Sequence, residues 1–140
     1  MEQRKVINIE NFFTEENERK GVWHEPVIDD IPCGIEFLLT GIHTDEATIE
    51  LTKIDEKSEK IRESTMDESE KEKLLDDLDA ERVAVITKGI RAKDGSQLVK
   101  NGKPIEFSKE FAKEFYKNCP AIKMHNVDFV LKSSSFMIFE

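Results

Sequence analysis

The sequence has few of the features that mark an enzyme, a membrane protein or a nucleic-acid binder. Its two cysteines, Cys33 and Cys119, stand far apart and form no C-x-x-C pair, so a tight metal knuckle is excluded and two separate thiols in a reducing cytosol are expected. No apolar run approaches the ~18 residues that a membrane span needs. The opening MEQRKVINIENFF is charged throughout and carries no apolar stretch leading to a small-residue cleavage site, so no signal peptide is expected. There is no P-loop, no G-x-G-x-x-G, no G-x-S-x-G elbow and no His-Glu-x-x-His, which removes the sequence grounds for nucleotide binding, a hydrolase elbow or a zinc protease.

An excess of basic residues is also lacking. The net charge is −9 and the pI about 5.0, with Lys and Arg spread along the whole chain rather than gathered on one stretch. A phosphate backbone would be repelled, so nucleic acid is not expected as a partner. Basic proteins, or apolar segments that need a soluble companion, suit such a surface better. Hydrophobic residues make up 38% and charged residues 36% of the 140, enough for one core under a heavily solvated surface.

The spacing predicts an α+β domain, mainly helical, with a small N-terminal β-sheet and a C-terminal helical subdomain. An N-terminal arm and strands occupy 1–43. Within them, Val6 to Phe13 reads as a short strand or helix start, Thr14 to Lys20 as a polar stretch, and Ile31 to Ile42 as a half-buried strand bounded by Pro32 and glycines. A helical, acidic section covers 44–90. Its first helix runs from about 45 to 62 behind a Thr44 N-cap. Its second starts at the capping box Thr65-Met66-Asp67-Glu68 and ends at Gly89 as a left-handed cap. In the third section, 91–140, Asp94-Gly95 and Asn101-Gly102 predict turns, the second closing a small hairpin with Pro104 on an edge. Ser108 caps a helix to about Asn118. Pro120 opens another to about Lys132, and Phe136 to Phe139 leave an apolar tail.

Each candidate for chemistry has a plainer reading beside it. His24, Cys33 and His43 compose a zinc set only if the fold gathers three scattered ligands, whereas structural zinc normally uses two close pairs. Cys119 precedes a predicted helix start, a position that lowers a thiol's pKa; it serves equally as a half-buried cap. The acidic run around Asp76-Asp77-x-Asp79 lacks EF-hand spacing and reads as a solvated helix face. No catalytic residue, metal or cofactor is assigned. The richest apolar feature is the stripe Phe111, Phe115, Tyr116, Ile122, Val127 and Leu131. It is either core or an exposed face that holds another polypeptide, and these six are the candidate partner-binding residues.

Three runs carry a resemblance: Lys88-Gly89-Ile90-Arg91-Ala92-Lys93-Asp94-Gly95, Gly102-Lys103-Pro104-Ile105-Glu106-Phe107-Ser108-Lys109-Glu110, and Cys119-Pro120-Ala121-Ile122. Their order is similar to that of phage tail assembly chaperones of the siphophage type, and Gly34 to Gly41 resembles the short strand with which many of these open. Together they cover about half the chain. The charge of the 66–88 helix and the N-terminal arm depart from the pattern. The resemblance implies a non-enzymatic protein of the host cytoplasm. Such a protein coats the tape measure protein during tail assembly and leaves as tail tube subunits polymerise, with the tail tube protein and a second copy of the chain as further contacts. Family members are often also made in a frameshifted, extended form. Two other readings stay open: a structural or connector protein retained in the virion, and an acidic inhibitor that presents Glu68 to Glu81 to a host nucleic-acid enzyme.

Overall fold

The computed structural model describes residues 6–137; the first five residues and the end of the predicted apolar tail, Ile138 and Phe139, lie outside them. The fold is α+β and mainly helical, with a small antiparallel sheet and C-terminal helices. After a 3-10 turn at Ile9–Phe12, the polar stretch forms α1 (Glu15–Lys20). Then come β1 (Val22–His24), a two-residue pair β2 (Val27–Ile28) and β3 (Ile31–Pro32), and β4 (Ile35–Leu39). The single strand expected over 31–42 is thus broken. Gly34, at φ 78, separates β3 from β4, and β3 pairs with β2 instead.

Helix α2 (Asp45–Glu63) starts where expected, with Thr44 accepting from the Ala47 amide at 3.2 Å. Helix α3 (Glu68–Val85) does not use the predicted capping box: its N-cap is Asp67, and Thr65 is exposed two residues earlier. Nor does it reach Gly89. The chain leaves the helix at Ile86 and enters β5 (Thr87–Ala92), a strand the sequence reading did not anticipate. Gly89 is therefore a strand residue and not a left-handed cap. Its glycine has a packing cause, since a Cβ there would stand 3.1 Å from the Trp23 indole. Strand β5 pairs antiparallel with β4, giving the sheet order β1-β4-β5.

The second turn is as expected: Asn101 (φ 52) and Gly102 (φ 77) join β6 (Val99–Lys100) to β7 (Lys103–Pro104), the two positive φ angles that a type I′ turn requires. Helix α4 (Lys109–Asn118) is capped by Ser108, whose hydroxyl accepts from the Phe111 amide at 3.0 Å. Helix α5 (Pro120–Leu131) has Pro120 in its first turn, and a 3-10 turn follows at Ser133–Phe136. Phe136 is 1% exposed. That end of the predicted apolar tail is core and not a free tail, and Asn17 of α1 donates to the Phe136 carbonyl at 2.9 Å.

The sheet buries Phe37 and Leu39 on one face against Ile54 of α2, Val83 and Ile86 at the end of α3, Tyr116 of α4 and Val130 of α5. On the other face Trp23 lies over Gly89, and the Arg91 guanidinium stacks 3.9 Å from the indole while bonding Glu36 at 2.9 Å. Within the core runs a hydrogen-bonded chain. The Asn126 amide donates to the Tyr116 hydroxyl (3.0 Å), which donates to Thr87 Oγ1 (2.7 Å), which donates to the Val83 carbonyl (2.7 Å). This direction is fixed because Thr87 spends its one proton on Val83. Burial pushes the Tyr116 phenol up to about 12.

Replacing Tyr116 by Phe removes the middle of that chain and strands the buried Asn126 amide. Urea unfolding should show a loss of about 1–3 kcal/mol, and a Thr87→Val change added to it should cost less than its effect in the wild type. Additive losses would show that the four groups are not linked.

Candidate functional site

Helix α4 presents two neighbouring stripes, because a step of one residue turns the helix by about 100°. Ala112 and Tyr116 face the core. Phe111 and Phe115 lie one position earlier on a shoulder, half-buried, with ring centroids 6.3 Å apart. Phe115 also touches the core, its ring 5.6 Å from Phe37 and edge-on to Tyr116 at 5.8 Å.

The shoulder forms one wall of an apolar groove of ≈ 480 Å³. Its floor is Ile35 of β4 and Ile90 of β5, and its far wall is the β6–β7 arm through Leu98, Val99 and Ile105. Lys100 stands on the rim of the arm, and Glu114 with Asn118 on the rim of the helix. A second cavity of ≈ 320 Å³ is lined by Ile90, Ala92, Leu98, Pro104, Ile105 and Phe107. Leu98 and Ile105 thus border open space in both cavities, and a Cβ added at Gly95 or Gly102 would meet nothing within 4 Å. The arm is held to the body by few contacts, so it can adapt to an occupant at low cost.

The six residues proposed from sequence divide accordingly. Phe111 and Phe115 line the groove. Tyr116, at 1% exposure, belongs to the core and offers no contact surface in this fold, because its ring and hydroxyl are both used internally. Ile122 and Val127 are half-buried where α5 packs on the core. Leu131 is 61% exposed at the end of α5 and is not part of the groove. Sequence reasoning missed Ile35, Ile90, Leu98, Val99 and Ile105. The turn signal at Asn101-Gly102 marked their arm, but only the sheet register brings them opposite Phe111. A separate apolar stretch is exposed near the N-terminus, with Val6, Ile7, Ile9 and Phe13 each more than 60% accessible.

The acidic helix is stitched to the rest of the protein. Asp77 takes Lys117 at 2.8 Å and Lys113 at 3.7 Å, both from α4, and Lys117 beside it holds its carboxyl below the usual range. Arg82 bonds Asp79, Asp55 and the buried Ser58, joining α3 to α2. Part of the acidic face is therefore matched by internal cations. Exposed pairs of this kind add little stability singly; those of Lys113 and Lys117 tie α4 to α3.

The histidines and cysteines are placed differently from the zinc set considered above. His24 of β1 meets His125 of α5, with Nε2 and Nδ1 3.1 Å apart, and stacks on Phe129 with centroids 3.9 Å apart. The Val27 amide donates to His125 Nε2 at 3.4 Å, so His125 Nδ1 carries the proton that His24 Nε2 accepts. His43 is exposed. Among the described residues no three His, Cys, Asp or Glu are placed to hold a metal ion, and no helix is long and apolar enough to cross a membrane. Both cysteines are free thiols, and burial pushes Cys119 up, opposite to an activated thiol.

Burial under Phe129 and the nearby His125 lower His24 to about 4. The folded protein therefore holds it neutral, whereas the unfolded chain protonates it near pH 6.5. Its contribution to stability is complete above about pH 6.5 and falls as the pH drops towards 4. An NMR titration of the His24 ring should give a midpoint near 4; a midpoint near 6.5 would mean that the ring is not packed as described.

Comparison of the chain with protein-family models, with curated proteins and with solved structures finds no match in any of the three.

Proposed function

We propose that this protein is a non-catalytic, partner-binding protein, and specifically a tail assembly chaperone of a tailed phage that holds the tape measure protein while the tail is built. The observation that carries the reading is the groove between α4 and the β6–β7 arm. It presents Phe111, Phe115, Ile35 and Ile90 at the surface of a chain whose net charge is −9. A long tape measure helix exposes apolar stripes that aggregate in water. A companion that covers them needs an apolar contact and a strongly charged outside. Both are present, and the resemblance of 88–95, 102–110 and 119–122 to that family supplies the specific partner. The place of action on this reading is the host cytoplasm, with the tail tube protein and a second copy of the chain as further contacts.

Retention in the virion as a connector is the neighbouring reading, and mass spectrometry of finished particles separates the two: the chaperone is absent from them. The direct test of the chaperone reading is co-expression with a tape measure protein of the same phage. The wild type should keep that protein soluble and co-purify with it. Phe111→Asp, checked by circular dichroism to be folded, should weaken the complex about tenfold or more, the loss expected for a central aromatic anchor. A tape measure protein that precipitates equally with and without the chain would overturn the reading.

A further inference from the structure

We infer that the tip of the β6–β7 arm gives the groove a charge preference, so that Lys100 and Lys103 select a partner segment whose apolar anchors are bordered by Asp or Glu. This rests on the reading of the groove as a partner-binding site and specifies the chemistry of what it takes. Lys100 and Lys103 are directly opposite each other across the ladder, next to the Asn101-Gly102 turn, and both are exposed. Like charges in that register repel and weaken the pairing, so a two-residue ladder carries a cost that an external carboxylate would relieve.

None is supplied among the described residues. Among the described residues, Arg91 pairs with Glu36, Lys93 with Glu25, Lys109 with Glu50 and Glu81, and Lys113 and Lys117 with Asp77. Lys100 and Lys103 have no ion pair among the described residues; other lysines, Lys57, Lys73 and Lys123 among them, also lack one, but Lys100 and Lys103 alone stand opposite each other on the arm that walls the groove. Lys100 also lines the groove, at the edge of the apolar floor. Across from it the rim carries Glu114 and Asn118, which bond to each other. The two walls therefore differ in sign, and an occupant that turns its carboxylates towards the arm meets Lys100 while keeping them away from Glu114. The overall negative charge does not forbid this. Its field is screened over ~8 Å at physiological salt, whereas Lys100 lines the groove itself and Lys103 stands opposite it on the ladder.

Lysines on short exposed strands also guard against edge-to-edge aggregation, and the test separates that role from recognition. Two fluorescent peptides of about 18 residues, five helical turns, share Leu and Ile anchors at helical spacing; one borders them with Glu, the other with Lys. Anisotropy should show the Glu-bordered peptide binding the wild type about tenfold more tightly, a difference of ~1.4 kcal/mol. The preference should shrink at high salt, vanish in Lys100→Gln/Lys103→Gln and reverse in Lys100→Glu/Lys103→Glu. Equal binding of both peptides by the wild type overturns the charge preference and leaves the groove reading standing. So does a preference that survives the Gln pair while that variant self-associates, since the lysines would then be edge guards. Failure of both peptides to bind, with Phe111→Asp making no difference, overturns the groove reading itself.

Discussion

The arrangement of this protein depends on the buried chain that runs from Asn126 through Tyr116 and Thr87 to the Val83 carbonyl. Its members come from α5, α4, the start of β5 and the end of α3, so one set of hydrogen bonds fixes four elements against one another. Magnitudes divide the labour. Burying an aromatic ring the size of Tyr116 contributes about 4 kcal/mol, while each neutral hydrogen bond adds about 1. The ring supplies stability and the bonds supply orientation. A slipped helix would keep most of the apolar burial but leave three buried polar groups unpaired, at about 1–3 kcal/mol each.

That orientation explains the groove. With Tyr116 pinned inward, Phe111 and Phe115 are carried to the side of α4, where Phe115 packs partly on Phe37 and Phe111 lines the groove together with the β6–β7 arm. The ion pairs from Lys113 and Lys117 to Asp77 hold the other side of the helix against α3. The core thus consumes one stripe of α4 and leaves the other at the surface.

What the sequence disclosed was the part of the structure decided locally. Thr44 and Ser108 act as caps, Asn101-Gly102 turns the chain and Pro120 opens a helix because each depends on its own few residues. The failures have a common cause. Thr87–Ala92 is a strand only because β4 lies beside it, and Gly89 is glycine because Trp23 covers it. The Thr65 box was a sound local pattern that lost to a start at Asp67. Of the candidate site, Phe111 and Phe115 were readable as an i, i+4 pair. Tyr116 read equally as core or as contact face because a helical stripe cannot say which of its members has a polar partner waiting in the core, Phe136 read as a tail because its burial comes from distant elements, and Ile35, Ile90 and Ile105 had no shared pattern to announce them.

The central claim is that a partner polypeptide seats on the groove between α4 and the hairpin arm. It is tested most directly by methyl NMR of the isoleucines while a helical fragment of the tape measure protein is added. The account predicts shifts concentrated at Ile35, Ile90 and Ile105, with Ile54 of the core and Ile122 of α5 little changed. Shifts centred on Ile122, or none at saturating fragment, would contradict it.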